Sequence, residues 1–98
     1  MSDTATNTGT TVAIKTPSMW KVMLFNDDFT SMEFVVQVLV HIFNKPQDEA
    51  ESIMLHIHNN GQANVGLFIK DVAVTKANQT KSAAERYVHP LMAEASEA

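Results

Sequence analysis

Thr30-Ser31-Met32-Glu33-Phe34-Val35-Val36-Gln37-Val38-Leu39-Val40-His41-Ile42-Phe43-Asn44 is the stretch on which the fold turns. Most of it is apolar and valines dominate, so propensity alone favours a strand. Its polar residues point the other way. Glu33, Gln37, His41 and Asn44 follow one another at spacings of four, four and three. That spacing draws one narrow polar stripe along a helix, whereas on a strand it would scatter over both faces. A cylinder with so little polar surface must be largely buried. Thr30-Ser31-Met32-Glu33 marks its start as a capping box, the Thr30 hydroxyl accepting the Glu33 N–H and the Glu33 side chain reaching back. The helix is predicted to run through Asn44 and to break at Lys45-Pro46.

Working outward, Met19–Phe25 (MWKVMLF) alternates Trp20, Val22 and Leu24 with Lys21, Met23 and Phe25, a strand with two mostly apolar faces. Asn26-Asp27-Asp28 ends it, because Asx side chains compete for local backbone groups. Residues 1–16 (MSDTATNTGTTVAIKT) are rich in threonine and carry only one apolar patch, Val12-Ala13-Ile14. They are expected to form a flexible N-terminal extension, with Pro17 at the boundary and residues 17–98 as the core domain. Downstream, a second helix is predicted from Gln47, with Asp48, Glu49 and Glu51 at its positive end and Ala50, Ile53, Met54 and Ile57 on its apolar face. Gly61 after Asn59-Asn60 stops it. Residues 62–69 read as a strand in which Gly66 weakens the run or marks a close approach. A third helix is expected over 71–86 or 87. Its apolar face is thin (Val72, Ala73, Ala77, Ala84, Tyr87), which makes it the most exposed of the three, and it ends at His89-Pro90. Residues 91–95 are expected to form a last strand. The sum is α+β: a single small domain, β-α-α-β-α-β, with a three-stranded antiparallel sheet packed on three helices.

With 98 residues the chain fits one domain with room for a shallow groove rather than a deep cofactor cleft. A net charge of -4 argues against nucleic acid or an anionic membrane surface as partner. No cysteine means no disulfide, thiolate metal site or cysteine nucleophile. No phosphate loop, nucleophile elbow or H-E-x-x-H motif occurs, so neither enzymatic activity nor a cofactor or metal is expected. With no signal-like segment, a cytoplasmic location is expected. Asn26-Asp27-Asp28 with Thr30 reads either as an acidic turn into a helix cap or as acceptors at the mouth of a cleft. His56 and His58 stand two apart on a helix, about 200° from each other, and could not close on one ion. His58 shares a face with Met54 beside Ile57, as a structural residue or a site group. Six methionines either fill the core or line an adaptable pocket, with Met32 and Met54 on two helices expected to pack together.

The string Pro17-Ser18-Met19-Trp20-Lys21-Val22-Met23-Leu24-Phe25-Asn26-Asp27-Asp28-Phe29-Thr30-Ser31-Met32-Glu33-Phe34-Val35 strongly resembles the signature of the ClpS family. Met54-Leu55-His56-Ile57-His58-Asn59-Asn60-Gly61 is a second match. A third runs from Val65-Gly66-Leu67-Phe68 through Asp71-Val72-Ala73 and Thr75-Lys76 to His89-Pro90-Leu91. The resemblance spans residues 17–95. It implies an adaptor that binds substrates of the N-end (N-degron) rule by a first residue Leu, Phe, Tyr or Trp with a free α-amino group. The adaptor then delivers them to the Clp AAA+ unfoldase-protease. By that resemblance Asn26, Asp27 and His58 would hold the α-amino group. Thr30, Met32, Val35, Met54, Ile57 and Leu91 would line the side-chain pocket, with Ile57 standing where valine is common. Asp71, Thr75 and Lys76 would dock on the N-terminal domain of a ClpA-type or ClpC-type unfoldase, with Val74 departing from an expected acidic residue. The resemblance implies a monomer with no nucleic acid, membrane or cofactor. The alternative is a regulatory subunit that modulates the unfoldase without binding N-degrons.

Overall fold

Six elements follow one another in the computed structural model, which describes residues 18–98: β1 (Met19–Phe25), α1 (Met32–His41), α2 (Gln47–Asn60), β2 (Gln62–Ile69), α3 (Lys70–Arg86) and β3 (Met92–Glu97). The extension expected over 1–16, and Pro17, lie outside the described residues. The strands form one antiparallel sheet in the order β2-β1-β3, so the order β-α-α-β-α-β and the α+β class are as expected. Val22 and Leu24 of the central strand are fully buried and meet Val35, Val36, Val38 and Leu39 of α1 in the core. The exposed Glu33, Gln37 and His41 carry the polar stripe of α1. Among the described residues no helix is long and apolar enough to cross a membrane.

Five local details differ from the sequence reading. Ser31, not Thr30, caps α1, accepting from the Phe34 N–H at 3.1 Å. The Thr30 hydroxyl instead points into the loop and donates to the Asp27 carboxylate. α1 ends at His41 instead of Asn44, because Asn44 turns left-handed (φ 57°) and lets the Lys45 N–H reach the Leu39 carbonyl at 3.0 Å. β3 begins at Met92 and runs to Glu97, beyond the expected 91–95. The least buried helix is α2, with only Ala50 and Ile57 fully buried, while α3 buries Ala73, Ala77, Thr80 and Ala84. Val72 and Tyr87, expected on the inner face of α3, are exposed.

Two glycines act as expected. Gly61 takes φ 90° at the end of α2, where its N–H donates to the Ile57 carbonyl at 2.8 Å. Gly66 sits in a bulge, where Val65 and Gly66 together oppose Val22 between the pairs Lys21–Leu67 and Met23–Asn64. The Phe68 ring lies against it, and a Cβ there would stand 2.5 Å from Phe68 Cζ. Asn64 Oδ1 accepts the Gly66 N–H at 3.0 Å, which closes part of this open sheet edge.

Candidate functional site

Where β1 ends, the Asn26 N–H donates to the Gly61 carbonyl at 2.8 Å. This bond ties the 26–30 loop to the C-terminal end of α2 and so to His58. The loop then closes on itself. Asp27 Oδ1 accepts the N–H groups of Phe29 (2.8 Å) and Thr30 (2.7 Å), and Oδ2 accepts the Thr30 hydroxyl at 2.7 Å. Partial burial pushes the Asp27 carboxyl up. The hydrogen bonds from Thr30 and Phe29, helped by the positive charge of His89, outweigh burial and hold it below the ordinary carboxylate value.

The result is a cavity of about 240 Å³ between the loop, the start of α1 and the second half of α2. Asn26, Asp27, Asp28, Thr30 and His58 supply its polar lining, and Met32, Val35, Met54 and Ile57 its apolar lining. Val35 and Ile57 are buried, Met54 is half-buried and Met32 is 45% exposed. Acceptors therefore stand beside an apolar hollow of side-chain size. This arrangement can take a donor-rich cation carrying an apolar group. Met54 packs against the core and also lines the cavity, which leaves it half-buried.

Eight of the nine residues named above for the amine and the side-chain pocket line this one cavity. Leu91 does not. It is buried and borders a separate hollow with Phe25, Lys81, Met92, Ala93 and Glu94. The cavity also includes Asp28, which the assignment by resemblance passed over. Three of the about four lone-pair directions of Asp27 are taken by its own loop, whereas the Asp28 carboxylate has no such partner among the described residues. The spacing Asp27-x-x-Thr30 carries the signal, since an Asx side chain commonly bonds backbone and hydroxyl groups two and three residues on. His89 acts on Asp27 from far along the chain, with its ring 4.4 Å from that of Phe34, and no local pattern announces it.

His56 and His58 separate as the helical spacing requires. His58 lines the cavity, while Asn60 Nδ2 lies 3.2 Å from His56 Nδ1 and donates to the His56 carbonyl at 3.0 Å. Asp71 and Thr75 are exposed one turn apart at the start of α3, away from the cavity. Lys76 turns inward. Its Nζ donates to the Ile42 carbonyl at 2.6 Å and stands 5.8 Å from the Phe43 ring and 5.6 Å from the Phe68 ring.

The family described as "ATP-dependent Clp protease adaptor protein ClpS" matches residues 15–94. The ATP-dependent Clp protease adapter protein ClpS of Maricaulis maris is 47% identical over 95 residues, covering 91% of this chain and 87% of that protein. The ClpS of Parvibaculum lavamentivorans is 52% identical over 77 residues, covering 79% and 70%. The solved structure of Agrobacterium tumefaciens ClpS2 bound to L-phenylalaninamide superposes with a TM-score of 0.82 at 35% identity, covering 85% of this chain and all of that one. The chain belongs to the ClpS family, the adaptor proteins of the ATP-dependent Clp protease.

Proposed function

We propose that this adaptor captures proteins by their first residue, Leu, Phe, Tyr or Trp with a free α-amino group. It then hands them to the AAA+ unfoldase of the Clp protease without itself performing a covalent step. One observation carries the reading: a single cavity joins the acceptors Asn26, Asp27, Asp28 and His58 to an apolar hollow formed by Val35, Met54 and Ile57. An α-amino group has a pKa of about 7.7–8.0 and is mostly an ammonium with three donors at neutral pH. The Asn26 side-chain carbonyl and a His58 ring nitrogen supply acceptors. Asp27, with the lone-pair direction its loop leaves open, and Asp28 beside it supply the negative charge, and the loop bonds of Asp27 fix Asn26 and Asp28 in place. Charge-assisted hydrogen bonds contribute about 1.5–3 kcal/mol each, and burying a Leu or Phe side chain roughly 1.5–3 kcal/mol. Less the cost of association, the sum corresponds to affinity on the order of micromolar. The L-phenylalaninamide bound by the Agrobacterium relative, which carries a free α-amino group next to an aromatic side chain, supports the same chemistry. Asp71 and Thr75, exposed at the start of α3, together with the half-buried Lys76 would meet the unfoldase, with one Lys76 donor engaged by the Ile42 carbonyl.

Fluorescence anisotropy with a Phe-starting peptide and its acetylated twin tests this. The free amine binds and the acetylated form does not. A chain that only regulates the unfoldase binds neither. Equal affinity for both peptides removes the amine from the recognition.

A further inference from the structure

The proposed first-residue pocket is walled by two thioethers. Met32, the first residue of α1, is 45% exposed at the pocket rim, while Met54 on α2 is half-buried. The chain has no cysteine, so no thiolate competes for an oxidant. A thioether suits an apolar pocket because it is polarizable and adaptable. One added oxygen makes it bulkier, polar and hydrogen-bonding.

We propose that Met32 is a reversible oxidation site that closes the pocket to apolar first residues, an inference that rests on the reading of the cavity given above. A peroxide is the oxidant. One peroxide oxygen bonds to the Met32 sulfur as the O–O bond breaks, and the other leaves as water. Sulfur loses two electrons and the peroxide gains them. In reverse, two thiols of a methionine sulfoxide reductase supply two electrons and two protons. The sulfoxide oxygen departs as water and the thiols become a disulfide. Access sets the site. Met19 at 42% and Met92 at 65% exposure are as open as Met32, but neither lines the cavity. They oxidise without closing it and serve as internal controls. Met54 is better shielded.

The test uses the full chain treated with hydrogen peroxide. Sulfoxide is located by mass spectrometry of peptides, the fold is followed by circular dichroism, and binding of the free-amine Phe peptide is measured by anisotropy. Wild type, Met32→Leu and Met54→Leu are each compared with their own untreated samples. Affinity is expected to fall about tenfold or more as Met32 becomes sulfoxide, the scale for placing an unpaired polar group in an apolar site. Reductase treatment restores it. Met54→Leu stays sensitive, and Met32→Leu becomes insensitive. The inference is overturned by full Met32 sulfoxide with unchanged affinity, by Met19 and Met92 oxidising while Met32 does not, by equal loss in Met32→Leu, or by loss of binding that tracks loss of the fold. Should the untreated protein fail to bind the free-amine peptide, the reading of the cavity falls, and this inference with it.

Discussion

Asp27 organises the loop that borders the cavity. Its oxygens hold the Phe29 and Thr30 N–H groups and the Thr30 hydroxyl, so the loop that presents Asn26 and Asp28 is rigid before any ligand arrives. Thr30→Val keeps the shape and removes one O–H donor. Urea unfolding at neutral pH is expected to show about 1 kcal/mol less stability, and NMR titration should show the Asp27 pKa moving up toward the ordinary value. The pH dependence follows in sign. The folded-state pKa of Asp27 lies below its unfolded value of about 3.9, so its contribution is fully present above that value. It is lost as pH falls through the lowered folded value. The gap between wild type and Thr30→Val should therefore be widest at neutral pH and close in strong acid. A gap that stays constant down to about pH 2 would show that the hydroxyl acts through packing and not through the carboxylate charge.

At the scale of elements, two contacts decide how α3 sits. Lys76 reaches the Ile42 carbonyl just past the end of α1 and stands near the neighbouring Phe43 and Phe68 rings, so it ties the end of α1 and β2 to α3. Lys76→Met keeps the stem and loses the donor, leaving a carbonyl unsatisfied, and is expected to lower stability by about 1–3 kcal/mol in urea unfolding. A change below about 0.3 kcal/mol would mark the bond as idle. The second contact is the exit from α3. Val88 has φ 60° and is 88% exposed, so a β-branched residue sits in the left-handed region with almost nothing to bury. The conformation is imposed by neighbours, since the Val88 N–H donates to the Glu85 carbonyl and the His89 N–H to that of Ala84 at 2.8 Å. Val88→Gly relieves a penalty of roughly 1–2 kcal/mol and gives back part of it as chain entropy. A net gain of about 0.5–1 kcal/mol in a thermal or urea melt is expected, and a loss would mean the valine side chain packs in solution. Neither contact could be read from periodicity. Lys76 looks like a surface residue because its partners lie far off in sequence, and the turn after α3 gives no sign beyond His89-Pro90.

For the whole molecule, the architecture was legible because each element carries its own punctuation. The polar stripe of α1, Gly61 after α2 and Asn26-Asp27-Asp28 after β1 all act locally. The cavity was legible as residues but not as a division of labour, because how many lone-pair directions Asp27 keeps open depends on hydrogen bonds inside a five-residue loop. Leu91 escaped for the opposite reason: its place in a separate hollow is set by how β3 docks on β1 and α3, not by its neighbours in the chain. This division of labour has a consequence for binding. If Asn26, Asp27, Asp28 and His58 meet an ammonium, affinity must follow the protonation of the ligand's own terminus on the alkaline side. Only the ammonium offers three donors and a charge to the carboxylates, and deprotonation leaves the acceptors facing a neutral amine with one donor fewer. Affinity for a Phe-starting peptide should be level near pH 7 and weaken above the amine pKa of about 8, approaching tenfold per pH unit while the ammonium form dominates binding. An acetylated peptide should show no such limb. Anisotropy titrations from pH 7 to pH 10, with circular dichroism alongside to show that the fold persists, measure this directly. A flat profile for the free amine over that range, with the fold intact, would leave the apolar hollow as the sole source of recognition.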